Sequence, residues 1–220
     1  MDDSIHIGTG GRPQVTLIGA PGVGKTSLLG RFHGGALFPF REPYRPTMPG
    51  CFTAQGVVEG KEVDAVVWDL SGTECMDAPL SQFLYGDTTV AVMIADAARL
   101  QSTLKAAARC KSDFDAWSLV NEGYVPPAVL FVNKSDRIAE VAALSDFAAN
   151  AVQREMLRAH VREHGYEFCH LVSAKTGEGV QEAFRAAIQV GVLAHAKRIA
   201  GPKTDGSGGV ADVVDSSSTM

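Results

Sequence analysis

The 220-residue sequence is poor in several features that mark whole classes of protein. It has only four cysteines, Cys51, Cys75, Cys110 and Cys169, scattered without metal-ligand spacing. That pattern excludes a cysteine-built metal site and predicts reduced thiols in a cytoplasmic protein. No apolar run approaches the length of a membrane span, and Met1-Asp2-Asp3-Ser4 is acidic where a signal peptide would be basic. Positive charge is scarce too: 20 Lys and Arg stand against 25 Asp and Glu, a net charge of −5. With no large basic surface to displace counterions, nucleic acid is not an expected partner. No internal repeat is visible. What remains, 45% hydrophobic and 20% charged, suits one domain with a sizeable core.

The most informative stretch is Gly19-Ala20-Pro21-Gly22-Val23-Gly24-Lys25-Thr26, a complete Gly-x-x-x-x-Gly-Lys-Ser/Thr phosphate-binding loop. A phosphate chain is best surrounded by backbone N–H groups, and Gly22 and Gly24 permit the tight dihedrals that such a nest needs. With Val23 they form the cradle, and a helix starting near Lys25 aims its N-terminal dipole at the same target. Lys25 then reaches the β- and γ-phosphates, Thr26 offers a hydroxyl to Mg²⁺, and Ser27 follows in the first turn. The flanks agree: Gln14 to Ile18 reads as a strand and Ser27 to Phe32 continues helically.

Taken in order, residues 1–12 read as a flexible leader, 13–200 as the folded domain and 201–220, rich in Gly, Ser, Asp and Thr, as a disordered tail. The first helix is expected to end at His33-Gly34-Gly35. Residues 36–50 hold four prolines, two phenylalanines and a tyrosine, too irregular for an element and too aromatic for an inert linker. A hairpin is expected from Cys51 to Val58 and from Glu62 to Trp68, followed by a short helix through Phe83-Leu84-Tyr85. Thr89 to Asp96 and Ala128 to Val132 are continuous apolar runs, as in parallel strands buried on both faces. Helices are expected over Leu100 to Val120, Leu144 to Glu163 and Val180 to Ile199, with a short strand at Phe168 to Val172. The alternation predicts an α/β fold: a doubly wound, mostly parallel six-stranded sheet with one antiparallel edge strand and helices on both faces. Ligands in such sheets bind at the carboxyl ends of strands, where every polar motif here lies.

Asn133-Lys134-Ser135-Asp136 follows one of those strands and selects the base. The Asp136 carboxylate can accept from both N1–H and the exocyclic amine of guanine, whereas adenine offers it a lone pair at N1. Asn133 would tie this loop to the phosphate loop, and the Lys134 stem would cover one face of the base. Ser173-Ala174-Lys175, at the end of the next strand, supplies a backbone N–H for the guanine carbonyl. Asp69, at the end of the second hairpin strand, can hold the Mg²⁺ shell, and Gly72 can offer an N–H to the γ-phosphate. In isolation Asp69-Leu70-Ser71-Gly72 reads more readily as an Asp helix cap with a glycine turn.

These motifs, in this order and spacing from Gln14 to about Ile199, resemble a small GTPase of the Ras superfamily, most similarly its Rab branch. The resemblance implies a Mg²⁺-dependent switch that binds GTP and GDP. Thr47 would be its switch-one threonine, a second Mg²⁺ ligand with a γ-phosphate contact. Phe40 would be the aromatic at the edge of the guanine, unless it only fills the core. Tyr44 would fold over the phosphates. Effectors would bind through residues 36–52 and 69–86, with an exchange factor and a GTPase-activating protein as further partners. The aromatic cluster near Tyr85 would serve effectors or packing.

Three departures stand out. Thr73 occupies the place where the family mostly has the glutamine that orients the attacking water, and Pro21 adds bulk beside the γ-phosphate. Lys25, Thr47 and Thr73 are thus the candidate catalytic residues, with slow hydrolysis expected. The alternative is a nucleotide-locked module in which GTP or GDP is structural. Finally, the last cysteine is Cys169 and residue 2 is Asp2, so neither prenylation nor myristoylation is expected, and membrane recruitment would need a protein partner.

Overall fold

The computed structural model describes residues 11–40, 50–58, 60–70, 85–137 and 147–200. Tyr44, Thr47, Gly72 and Thr73, together with residues 1–10 of the leader and the tail 201–220, lie outside the described residues.

Six strands form one sheet in the order β2-β3-β1-β4-β5-β6. They are β1 Gln14–Ile18, β2 Gly50–Val58, β3 Lys61–Asp69, β4 Val90–Asp96, β5 Ala128–Asn133 and β6 Cys169–Leu171. Only β2 runs antiparallel, paired with β3 as Gly50↔Asp69 through Val58↔Lys61 around Gly60 at φ 79°. The other pairings are parallel and place Leu17 beside both Asp69 and Val92, and Asp96 beside Asn133. The carboxyl ends of five strands, β1, β3, β4, β5 and β6, therefore converge on one edge.

Alternation along β4 builds both faces at once. Val90, Val92 and Ile94 enter one core with Val15, Leu17, Phe131 and the helices α1 (Lys25–Gly34) and α4 (Val180–Ala200). Ala91, Met93 and Ala95 enter the other with Ile18, Leu130 and helices α2 (Leu100–Glu122) and α3 (Phe147–His164). Every residue of β4 and β5 is buried, which is why both read as unbroken apolar runs. Phe184 of α4 joins the layers on its side, stacked on Phe32 of α1 at 4.4 Å and edge-on to Phe131 at 5.4 Å.

Helix ends follow the glycines. Gly24 (φ 98°) precedes α1, Gly35 (φ 52°) closes it with its N–H on Arg31 O, and Gly123 (φ 66°) closes α2. Tyr85 is buried, edge-on to Phe114 at 5.0 Å and to Trp117 at 5.7 Å, so at this residue the aromatic cluster packs the core. One expectation is corrected: Cys110 is disulfide-bonded, whereas Cys51 and Cys169 are free thiols. Burial pushes the Cys169 thiol up to about 12, which leaves it inert. Among the described residues no helix is long and apolar enough to cross a membrane.

Candidate functional site

The phosphate loop leaves β1 under tight steric control. A Cβ on Gly19 would lie 2.6 Å from Ile94 O, so the chain can cross the central strand only as glycine. Gly22 and Gly24 take φ of 76° and 98°, and α1 then begins with no side-chain cap and no acidic residue in its first turn. The positive end of the helix thus meets no acidic side chain of its own first turn, and a helix N-terminus of this kind favours an anion. Lys25 is buried and folds back over the loop, its Nζ donating to Gly19 O at 2.8 Å and Ala20 O at 3.4 Å. Pro21 is exposed.

Beside it, Thr26 Oγ1 donates to Asp69 Oδ2 at 2.6 Å. Asp69 is buried, and its second oxygen, Oδ1, has no hydrogen-bond partner among the described residues. Burial raises the pKa of this carboxyl, against the opposing Thr26 hydrogen bond and the Lys25 charge. A buried carboxylate oxygen without a donor, next to a hydroxyl, fits a hard divalent cation such as Mg²⁺, which takes one or two carboxylates and keeps waters. Thr26 and Asp69, two of the three expected metal residues, are together; the third, Thr47, lies outside the described residues.

The base-side loops are interlocked with the phosphate loop. Asn133 is buried; its Nδ2 donates to Val23 O at 2.8 Å and its Oδ1 accepts from the Ala174 N–H at 3.1 Å. One side chain thus ties its own motif to two others, 110 and 41 residues away in sequence. Ser173 Oγ donates to Asp136 Oδ1 at 2.6 Å and accepts from the Thr176 N–H at 3.1 Å, which orients the carboxylate. Lys134 adopts φ 65°, unusual for a residue with a side chain, and its Nζ donates to Gly22 O and Asp96 Oδ2, both at 2.8 Å. Phe40 is half-buried and packs against the core shared by α1 and α4. Lys175 is exposed, and Ser27 sits in the first turn of α1.

Two residues escaped the sequence reading. Asp96 ends β4, buried and ringed by Lys134 Nζ, Arg99 Nε at 3.1 Å and the Ala98 N–H at 2.9 Å. Burial alone would raise its pKa; these donors, Lys134 foremost, hold it below the ordinary carboxylate value. Its signal was its place, an acid at the carboxyl end of a buried strand, as with Asp69. Arg31 of α1 reaches the loop after β6, donating to Ala174 O and Lys175 O. Nothing in the local pattern of α1 sets it apart.

The Ras family model matches residues 14–191. The Rho-related GTP-binding protein RhoB of Homo sapiens is 31% identical over 201 residues, an alignment that covers 81% of this chain and 90% of the relative. RhoB of Mus musculus and of Rattus norvegicus match to the same extent. The match spans the sheet, the described helices down to residue 191, and every described loop at the convergent edge. This chain belongs to the Ras family of small GTPases.

Proposed function

We propose that the protein is a Mg²⁺-dependent guanine-nucleotide switch that binds GTP and GDP at the convergent sheet edge and hydrolyses GTP slowly. The observation that carries this reading is Asn133, whose two side-chain hydrogen bonds join the phosphate loop to both base-side loops. Gly22, Val23, Gly24, Lys25, Thr26 and Ser27 bind the phosphates. Asp136, with Ser173 holding its carboxylate, reads N1–H and the amine of guanine, and Ala174 and Lys175 face the carbonyl. Thr26, Asp69 and Thr47 hold Mg²⁺, which supplies charge neutralisation at the phosphates. Phe40 and Tyr44 flank the base and phosphates, and Gly72 meets the γ-phosphate.

Slow hydrolysis follows from Thr73, too short to orient water as the planar amide of glutamine does, and from the added bulk of Pro21. Those two residues favour the second reading, a nucleotide-locked module, while Lys25, Thr26, Thr47 and Asp69 favour the switch. Effectors, an exchange factor and a GTPase-activating protein engage residues 36–52 and 69–86, and membranes are reached through a protein partner. The motifs resemble the Rab branch, whereas the relatives named above are Rho-related, so the proposal stands at the level of the superfamily.

Chromatography of the nucleotide released from purified protein, followed by single-turnover phosphate release, tests the reading. GDP or GTP should be released and turnover should run at roughly 10⁻⁴ s⁻¹ or less. Thr73→Gln combined with Pro21→Gly should be faster; no gain would remove Thr73 as the limiting residue. Asp136→Asn should switch preference from guanine to xanthine nucleotides, and a variant still ranking GTP far above XTP would remove Asp136 as the base reader.

A further inference from the structure

Arg31 spends every arm of its guanidinium on main-chain carbonyls. Nε donates to Ala174 O at 2.9 Å, Nη2 to Lys175 O at 2.8 Å and Nη1 to Gly35 O at 2.8 Å. The residue is buried, and among the described residues no carboxylate pairs with it. Burying a guanidinium without a counter-ion is costly, and it is tolerated when the planar fork is matched by fixed acceptors. Two of these acceptors belong to the loop after β6. The third belongs to the turn at Gly35–Leu37 that carries the chain from α1 toward Phe40.

Both neighbours are fitted to this side chain. Gly177, whose φ of 90° favours glycine, lies alongside the stem: a Cβ there would be in ordinary van der Waals contact with Arg31 Cδ at 3.5 Å. The Phe38 ring lies 5.9 Å from the guanidinium carbon, and its edge occupies the space that a Cβ on Gly30 would need. Arg31 is therefore clamped between the loop that follows β6 and the segment that leaves α1.

The planarity of the peptide gives this clamp a direction. In a trans peptide the C=O of one residue and the N–H of the next point to opposite sides. Anchoring Ala174 O on Arg31 Nε therefore turns the Lys175 N–H away from α1. The Ala174 N–H already points to Asn133 Oδ1, on the side of the base-reading residues. We propose that Arg31 is a positioning residue for base recognition: with the Ala174 N–H committed to Asn133 Oδ1, it aims the N–H of residue 175 at the carbonyl at the 6-position of the purine, and couples that aim to the segment leading to Phe40. This rests on the guanine-nucleotide reading above. Arg31 touches neither phosphate nor base; it acts through the backbone that does.

The test separates the two edges of the base. Displacement of a fluorescent GDP derivative is measured with GDP, with 6-thio-GDP, altered only at the 6-position, and with XDP, altered only at the 2-position. Arg31→Met keeps an apolar stem against Gly177 and removes the fork. It should bind GDP more weakly, release it about ten- to a hundredfold faster, and narrow the preference for GDP over 6-thio-GDP about tenfold. The preference for GDP over XDP, which Asp136 sets, should stay unchanged. Arg31→Lys, with a charge but no fork, should resemble the Met variant. It carries the same comparison if Arg31→Met does not fold. If both preferences are unchanged, or both collapse equally, Arg31 is only structural and the proposal falls. A wild-type protein that does not prefer GDP to ADP would instead overturn the guanine reading, and this proposal with it.

Discussion

The two halves of the site treat their polar groups differently. On the base side, Asn133, Lys134, Asp136 and Ser173 are held by hydrogen bonds that cross from one loop to another. On the phosphate side, Lys25 rests on carbonyls of its own loop, and Asp69 holds one hydroxyl while its other oxygen has no donor among the described residues. The base half is preorganised by the fold; in the phosphate half the Asp69 Oδ1 oxygen keeps bonding capacity for a ligand. A switch needs that division, because base identity must be constant while phosphate occupancy changes.

Lys25→Ala should produce the largest effect, and it should break only the phosphate half. Nucleotide affinity should fall by about 4 kcal/mol, since a partly desolvated charge-assisted contact is lost. Calorimetric affinities for GDP and GTP that match wild type would erase the contrast. Stability of the nucleotide-free chain should fall by less, about 1 kcal/mol, because the buried Gly19 carbonyl loses its donor while a buried ammonium is removed with it.

Asn133→Ala should do the reverse and damage the fold itself. Val23 O and the Ala174 N–H would both lose buried partners, costing about 3 kcal/mol even without nucleotide, roughly 10 °C in melting temperature. An unchanged urea midpoint in EDTA would show that the base half is not preorganised by this residue.

Asp69→Asn should sharpen the comparison through a smaller, opposite effect. Burial raises the folded pKa of Asp69, so the folded chain binds this proton more tightly than the unfolded one. The carboxyl therefore weakens the metal-free fold as pH rises above its unfolded value. The amide should stabilise the protein in EDTA by about 1 kcal/mol at pH 7, while abolishing the gain in nucleotide affinity on adding Mg²⁺. Loss of stability together with an intact Mg²⁺ effect would refute the assignment.

The smallest effect belongs to Asp96. Its folded pKa is depressed, so its contribution is present above the unfolded carboxylate value and is lost as pH falls below about 4. Melting curves across that window should lose a component below about 1 kcal/mol that Asp96→Asn lacks.

The strands and the motif loops were legible because their signals are local. A strand buried on both faces is an unbroken apolar run, as at Val90–Asp96 and Ala128–Asn133, and a phosphate loop is a fixed spacing of glycines. The hairpin boundaries fell within a residue or two for the same reason. Arg31 was not legible because its meaning lies in partners 143 residues away, and Asp96 showed only its place at a strand end and not the lysine 38 residues on; no periodicity encodes those distances. The disulfide state of Cys110 escaped for the same cause: spacing says nothing about which side chains the fold brings together. Phe40 stayed ambiguous, since an aromatic at the rim of a core serves packing and recognition with the same ring.

Gly24 separates the two halves by the width of a single absent atom. A Cβ there would collide with Asn133 Nδ2, besides facing the strain of φ 98°. Any side chain at residue 24 would therefore push aside the amide that binds Val23 to Ala174. In a saturation library, this position would be emptied twice over: by selection for phosphate affinity alone, and by selection for base discrimination alone. Two traits that could otherwise drift apart are locked to the same codon.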